Sequence, residues 1–171
     1  MTFYEFIVAT DPLNERTEGA VLDSLDASIG GHGPITEIIL TAEGSSAELA
    51  FRGAVHQLEA LGVRVRELRP DLVNRKAIAL RSGRTPQGVG LWIRGERHRL
   101  KPFPEPFNLA GGGLWLWGEV NAWLREQGEA VDDLALPTRA DHVRCAMWLL
   151  DRVDSGAHDR EEAPLEVLRR P

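Results

Sequence analysis

The residues of this chain best suited to binding chemistry are Lys and Arg, and they cluster between positions 71 and 101. This stretch holds eight of the chain's 20 Lys and Arg but only two of its 26 Asp and Glu, so its net charge is +6 while that of the whole chain is −6. A basic island in an acidic chain is typical of a surface that binds a polyanion, and nucleic acid is the first partner to consider. The alternative interpretation is a solvated basic face on a purely structural helix pair.

Two short helices joined by a glycine turn are predicted to carry this island. Asn74 can cap a first helix over residues 75–81. Gly83 stands where a tight turn is needed, and Thr85 can cap a second helix that has Pro at its first position, where a missing N–H costs nothing. Gly95 ends the second helix, and the pair matches the helix-turn-helix plan. The side chains predicted to face inward are Ala77, Ile78, Leu80, Val89, Trp92 and Ile93.

An ordered set of motifs surrounds these helices. The run VNRKAIALRSGRTPQGVGLWIRGER at 73–97 comprises a short helix ending in Gly, an Arg with a capping Thr, and a helix that closes with Trp-Ile-x-Gly. A Phe-Pro wing sequence, FPEP, follows at 103–106, and LWLWGEVNAWL at 114–124 supplies a Trp-x-Trp strand and a Val-x-x-Trp-Leu helix. As a set, residues 71–125 resemble the winged helix-turn-helix of small actinobacterial AlpA-type and MerR-like DNA-binding proteins. The resemblance also implies a small αβ domain ahead of the winged helix.

The resemblance implies that double-stranded DNA is the partner, with the N-terminal turn of the second helix in the major groove. Arg can pair bidentately with guanine, and Gln with adenine. The base-proximal residues are then Arg84, Thr85, Gln87 and Gly88. Phosphates, or the minor groove beside the wing, would be contacted by Arg75, Lys76, Arg94, Arg97, Arg99 and Lys101.

Three residues of the second helix depart from the family pattern. Pro86 stands where relatives often place a polar or basic side chain, and Gly88 and Gly90 each cost about 1 kcal/mol of helix stability relative to Ala. Glycine permits close approach to DNA or to another helix, but it offers no side chain to a base. The alternative function is therefore a protein-interaction module, an adaptor or an antitoxin-like protein, whose helix-turn-helix has lost base-specific readout.

The rest of the chain predicts an α+β fold. The elements expected before the basic island are a strand at 3–9, a helix at 18–27, a very short strand in the Gly-rich 28–34, a strand at 35–42, a helix capped by Ser45 and a strand at 63–68. This order matches the split βαβ, ferredoxin-like arrangement. The predicted organisation is a ferredoxin-like domain at 1–69, a winged helix-turn-helix at 70–127, and a C-terminal helix with a mobile acidic tail at 128–171.

The C-terminal helix is predicted to start at Pro137 and Thr138, with Asp141 as an acidic capping partner. The helix is predicted to carry a broad apolar stripe, which must be buried against the sheet, the winged helix or a second copy of the chain. Residues 154–164 are predicted to be polar and mobile, with a final turn at 165–170. The residues of the predicted apolar stripe are Val143, Ala146, Met147, Leu150 and Val153, with Trp148 and Leu149 widening it.

Four of the five tryptophans lie in the winged region. Exposed aromatic residues interleaved with Lys and Arg would form a stacking platform for single-stranded nucleic acid. Residues 110–124, however, contain no Lys or Arg. We therefore predict that these side chains form the core of the winged helix, with Leu114 and Leu116 on one side of a strand and Trp115 and Trp117 on the other; the four are Trp92, Trp115, Trp117 and Trp123.

Two neighbouring features are predicted to lie at the surface. Asn121 fits the exposed face of the helix that contains Val120 and Trp123, and LAGGG at 109–113 is predicted to be the flexible tip of the wing.

No catalytic group, metal site or cofactor is expected. Cys145 is the single cysteine, and with His142 three residues before it on a helix it is interpreted as a packed pair rather than a metal site. His32 and His56 have no second ligand at a metal-binding spacing.

Function and location follow from these exclusions. The chain has no run of 18 apolar residues and no signal-peptide pattern at its start, so no membrane association and a cytoplasmic, nucleoid-associated location are expected. The leading hypothesis is a non-enzymatic transcriptional regulator that binds duplex DNA as a homodimer. A protein partner would dock on the N-terminal domain or on the helix at 138–153.

Overall fold

The structure, a computed structural model, describes residues 1–97, 101–129 and 132–161, and side chains only as far as residue 152. These residues form a mixed α+β fold, as the sequence predicts. The elements are β1 (Thr2–Thr10), α1 (Glu15–Ser24), β2 (Ala27–His32), β3 (Ile35–Gly44), α2 (Ala47–Ala60), β4 (Val65–Arg69), β5 (Leu72–Val73), α3 (Arg75–Arg81), α4 (Pro86–Ile93), a 3₁₀ turn (Ala110–Gly112), β6 (Trp115–Leu116), α5 (Trp117–Glu126) and α6 (Arg139–Glu161). None of the described helices is long and apolar enough to cross a membrane.

The larger sheet joins its strands in the order β2-β3-β1-β4, and every neighbouring pair is antiparallel. Strands β1 and β3 pair along the whole of β1, with Phe6 opposite Leu40 and Val8 opposite Ile38. Side chains alternate between the two faces of a strand, so these four residues share one face, and all four are buried. That face is the floor of the first hydrophobic core.

Helix α2 covers this floor. Ser46 caps the helix by accepting a hydrogen bond from the Leu49 N–H at 3.3 Å, so the cap lies one residue later than the predicted Ser45. Gly62 follows the helix with φ at +81°, the left-handed conformation that glycine commonly adopts after a helix. The buried residues of the helix are Ala47, Ala50, Phe51, Ala54, Val55 and Leu58.

The Gly-rich segment after α1 is a strand of six residues rather than a turn with a very short strand. It pairs with β3 from Ala27 opposite Leu40 to His32 opposite Ile35. Glycine is unfavourable in strands on its own, but β3 is long and supplies a complete partner edge. Strand β2 is therefore identified by its pairing with β3 rather than by its own composition.

A second hydrophobic core is built from α3, α4, α5 and the two-stranded β5–β6 ribbon. All four tryptophans of this region are buried, which confirms their predicted core role. The predicted alternation in LWLW is wrong, because β6 contains only Trp115 and Leu116 and Trp117 already begins α5. Both Trp115 and Leu116 are buried as a result.

Two further predictions for this core are wrong. Leu80 was expected to face inward, yet it is 84% exposed, because α3 is only seven residues long and Ile78 and Ala79 take the core positions. Asn121 was expected on the exposed face of α5, but it is 3% exposed. Its amide donates to the Asp132 carbonyl at 3.2 Å and accepts from the Asp132 N–H at 3.3 Å, so both the nitrogen and the oxygen of the buried amide have a partner.

Helix α6 packs against α2 and β4 and contributes to the first core. Its cap is as predicted, since Thr138 and Asp141 exchange hydrogen bonds in a capping box. The centre of the predicted buried stripe is wrong, because Val143, Ala146, Met147 and Leu150 are exposed. Leu149, expected only to widen the stripe, is buried together with Cys145, and Trp148 is half-buried. The helix also continues to Glu161, so the mobile segment expected from 154 is helical that far, and residues 162–171 lie outside the described part of the chain.

Candidate nucleic-acid interface

The two helices of the basic island are held by the caps that the sequence predicts. Asn74 Oδ1 accepts a hydrogen bond from the Ala77 N–H at 2.9 Å, and Thr85 Oγ1 accepts one from the Gly88 N–H at 3.1 Å. Between the helices, Gly83 adopts φ of +63°. Each cap satisfies a backbone donor that would otherwise be unpaired at the helix start, so the orientation of α3 and α4 is set locally.

Helix α4 has one buried side and one exposed end. Val89 and Trp92 are buried in the second core. Arg84, Thr85 and Gln87, three of the predicted base-proximal residues, are exposed around its first turn. The fourth, Gly88, is half-buried in the same turn. The anchored side thus leaves the N-terminal turn of α4 open to a partner.

A concavity of about 520 Å³ lies between the start of α3, the end of α4 and the glycines at 111–113, and we call it the basic cleft. Arg75, Lys76 and Arg94 line it, and all three are exposed. No Asp or Glu is among the described residues that line it. Three of the predicted phosphate-contacting cations therefore lie together along the basic cleft.

Gly90 explains how the cations of the basic cleft come together. It is buried, and a Cβ built on it would lie 3.2 Å from Nη1 of Arg94 and 3.7 Å from Nη1 of Arg75. Two guanidinium groups, one from each helix, thus converge on the space that a side chain would occupy. Like charges that converge in this way repel each other, and an anion placed between them relieves the repulsion.

The opposite wall of the basic cleft is backbone. Gly111, Gly112 and Gly113 adopt φ values of +61°, +90° and +108°, and a Cβ on Gly113 would lie 2.5 Å from the ring of Trp115. Sequence alone suggested a flexible wing tip here, but the segment forms a 3₁₀ turn, held by a 2.7 Å hydrogen bond from the Ala110 N–H to Asn108 Oδ1. A wall without side chains allows a phosphate backbone to approach closely.

Other predicted phosphate contacts lie outside the basic cleft. Lys101 is exposed, and its Nζ is 3.0 Å from Glu126 Oε2 on α5. Arg97 is exposed in the bend that follows α4. Arg99 lies outside the described residues.

Carboxylates contact several of the predicted site cations. Arg84 forms a two-point contact with Glu129, with Nη2 2.7 Å from Oε1 and Nε 3.2 Å from Oε2. Arg94 Nε lies 2.5 Å from Glu96 Oε1, and this hydrogen bond raises the pKa of Arg94. All of these pairs are solvent-exposed, so water and salt weaken each of them, and the carboxylate can exchange for a phosphate.

The buried tryptophans fix the loop that carries Lys101. The Trp123 indole N–H donates to the Lys101 carbonyl at 3.1 Å, and the Trp115 indole N–H donates to the Pro104 carbonyl at 3.0 Å. Phe103, between these two anchors, stacks on Trp92 with ring centroids 6.4 Å apart. Core packing thereby determines where this part of the predicted wing lies.

Sequence reasoning missed the acidic partners and the role of Gly90. Glu126 and Glu129 are 25 and 45 residues from the cations they contact, and no local pattern links them. The convergence of Arg75 and Arg94 on Gly90 also depends on how two helices cross. A possible signal was the presence of Gly90 inside a short helix, where it is unfavourable unless its small size is used.

The remaining candidate groups show no arrangement for metal or thiol chemistry. Among the described residues, no group of three or more His, Cys, Asp and Glu side chains could hold a metal ion. Burial raises the pKa of the Cys145 thiol to about 12 and lowers that of His142. A thiol that stays protonated at neutral pH is a poor nucleophile, so Cys145 acts as a packing residue.

Comparison with known proteins gives no further guide to the site. No protein-family model matches this chain, and neither a curated protein nor a solved structure is detectably similar to it.

Proposed function

We propose that this chain is a non-enzymatic transcriptional regulator that binds duplex DNA in the cytoplasm, with residues 70–127 acting as a winged helix-turn-helix. The observation that carries the proposal is the basic cleft, where Arg75, Lys76 and Arg94 face a glycine-walled concavity that has no Asp or Glu among its described lining residues. A guanidinium group forms two parallel hydrogen bonds to a phosphate, and Gly90 leaves room for two such groups. The cleft then holds the DNA backbone.

The exposed first turn of α4 supports a second part of the proposal. With the backbone held in the basic cleft, the exposed residues Arg84, Thr85 and Gln87 would enter the major groove. Arg84 must first exchange Glu129 for a base edge or a phosphate. Sequence preference would then rest chiefly on Arg84 and Gln87, since Gly88 has no side chain.

We also propose that residues 1–69 form a ferredoxin-like domain. The support is the order of elements, β-α-β-β-α-β, together with the antiparallel sheet order β2-β3-β1-β4. A fold of this kind hosts many functions, so it does not add to the functional argument.

The experiment that tests DNA binding is fluorescence anisotropy with two duplexes, the fragment upstream of the chain's own gene and a scrambled sequence, at low and at physiological salt. Arg75→Ala and Arg94→Ala should each weaken binding roughly tenfold and make it less salt-dependent, because each removes one phosphate contact. Arg16→Ala is the matched control, since Arg16 is exposed on α1. Equal losses in all three variants would mean that only net charge matters, and no binding at low salt would reject the proposal.

Base reading is tested separately from affinity. Gln87→Ala should reduce the preference for the upstream fragment over the scrambled duplex, with little change in binding to the scrambled one. An unchanged preference would restrict the proposal to DNA binding without base reading.

A second function, that of an adaptor or antitoxin-like interaction protein, is favoured by one observation. Glu129 and Glu126 already neutralise Arg84 and Lys101, as they would if these cations had a structural role. Under this alternative, the triple variant Arg84→Ala, Arg94→Ala, Arg97→Ala keeps its protein partner in a pull-down experiment. Under the main proposal the same variant folds normally but loses DNA.

A further inference from the structure

Helix α6 has an exposed apolar surface in addition to its buried one. Val143, Met147 and Leu150 are 56%, 60% and 65% exposed, and their spacing of four and three residues places them on one face. Ala146 is exposed beside them. We call these four residues the α6 stripe.

The opposite side of α6 is already used. Cys145 and Leu149 are buried in the first core, and Trp148 packs edge-on against Phe51 with ring centroids 6.0 Å apart. Rotating the helix to bury the α6 stripe would therefore expose the side that is now packed. A helix that is apolar on two sides needs a partner on each of them.

The α6 stripe continues into a groove beside the edge of the larger sheet. A concavity of about 490 Å³ lies between α6 and β4, with Ala146 and Leu150 on one wall and Val65 and Leu68 on the other. Strand β4 is last in the sheet order and pairs only with β1 among the described strands. The groove therefore combines apolar residues of both elements with the charged side chains of Arg64, Arg66 and Glu67 at the edge of the sheet.

The shape of the α6 stripe is complementary to itself in the antiparallel direction. A two-fold axis between positions 146 and 147 sets Val143 opposite Leu150 of the partner subunit and Ala146 opposite Met147 of the partner subunit. Each large side chain then meets a smaller one, as interdigitating packing requires. In a parallel pair each residue would instead face its own copy.

The charges of α6 also favour the antiparallel pair. With the axis just described, Arg139 lies opposite Asp154 of the partner subunit, and Asp141 lies opposite Arg152 of the partner subunit. Antiparallel pairing in this register sets unlike charges together and opposes the two helix dipoles. Parallel pairing would set each of these charges opposite its own copy.

We propose that a second copy of this chain covers the α6 stripe, with the two α6 helices antiparallel. The inference rests on the surface of α6 and is independent of DNA binding. Where the proposed function also holds, the dimer presents two helix-turn-helix units related by a two-fold axis, and the expected DNA target is a palindrome with two half-sites.

The test is the mass in solution, measured without DNA by light scattering coupled to size-exclusion chromatography over a range of protein concentrations. The wild type should have twice the chain mass of 18.9 kDa. Ala146→Glu and Met147→Lys should each give monomers, because each places a charge in the apolar contact. Leu22→Lys is the matched control, because it places a charge at another exposed apolar residue, on α1. This variant should stay dimeric.

The double variant Ala146→Glu, Met147→Lys distinguishes the two orientations. In the antiparallel pair each Glu faces a Lys of the partner, so the double variant should recover the dimer. Circular dichroism should give the same helix content for all variants, since both positions are exposed. A monomeric wild type, a dimer that survives Met147→Lys, or a double variant that stays monomeric would overturn the proposal.

Discussion

At the residue scale, two glycines of α4 lie in different surroundings. A Cβ on Gly88 would lie 3.4 Å from Thr85 Oγ1, a contact that an ordinary helix start tolerates. A Cβ on Gly90 would meet the guanidinium groups of Arg94 and Arg75 instead. Gly90 lowers helix stability, but it leaves space for two cations. Gly88 also lowers helix stability, but no cation uses the space beside it.

This difference predicts that two alanine substitutions have the same effect on stability but different effects on DNA binding. Gly88→Ala and Gly90→Ala should each raise the free energy of unfolding by up to about 1 kcal/mol, because alanine is the better helix former and the displaced guanidinium groups are on flexible side chains. Only Gly90→Ala should weaken DNA binding, by several-fold. Urea unfolding and fluorescence anisotropy measure the two effects. Equal DNA affinities for the two variants would contradict the role given to Gly90.

At the element scale, the features that the sequence predicted correctly are helix caps and turns, which depend on residues close together in the chain. The caps at Asn74, Thr85 and Thr138 and the turn at Gly83 were all placed correctly, because each satisfies backbone groups within one turn of the helix. The cap of α2 was displaced by one residue, since Ser45 and Ser46 offer the same hydroxyl.

What the sequence could not predict depends on partners distant in the chain. Helix α6 is apolar on two sides, and only packing against α2 and β4 decides that Cys145 and Leu149 are the buried pair. The same holds for the site: its cations were predicted from composition, but their convergence on Gly90 depends on the crossing of two helices.

A contact between elements gives a pH-dependent prediction at Glu5. Burial raises the pKa of this carboxyl, and the nearby Asp132 and Asp71 raise it further, against a smaller lowering by Arg81. A raised pKa in the folded state means that the stability contributed by the protonated form is lost as the pH rises through that pKa. Glu5 should therefore destabilise the fold at neutral pH.

Glu5→Gln should accordingly raise the melting temperature at pH 7, and the difference from the wild type should shrink as the pH falls toward 4.5, the ordinary value for Glu, because below it the carboxyl is protonated in both the folded and the unfolded state. Thermal unfolding followed by circular dichroism across that range measures it. Glu43→Gln, at an exposed glutamate of β3, is the control and should leave the pH profile unchanged. A variant less stable than the wild type at pH 7 would show that the Glu5 carboxylate is favourably paired.

At the scale of the whole molecule, the basic island and the acidic residues are closer together in space than their positions along the chain suggest. The basic island is followed by α5 and its C-terminal turn, whose carboxylates reach back to two of its cations: Glu129 to Arg84 and Glu126 to Lys101. Under the proposed function, DNA would compete with these carboxylates for the same cations. The competition would weaken binding to any duplex, and base contacts with a well-matched sequence would recover part of the loss.

Removing the two carboxylates should therefore raise DNA affinity. The double variant Glu126→Gln, Glu129→Gln should bind the scrambled duplex several-fold more tightly at low salt, since each exposed pair contributes at most about 1 kcal/mol. The gain should shrink at physiological salt, where exposed charges are screened. Glu15→Gln with Asp23→Asn on α1 changes the net charge equally and is the control for long-range attraction. If both double variants gain DNA affinity equally, net charge explains the effect. If the variant Glu126→Gln, Glu129→Gln binds less tightly than the wild type, Glu129 holds Arg84 in its DNA-binding position rather than competing for it.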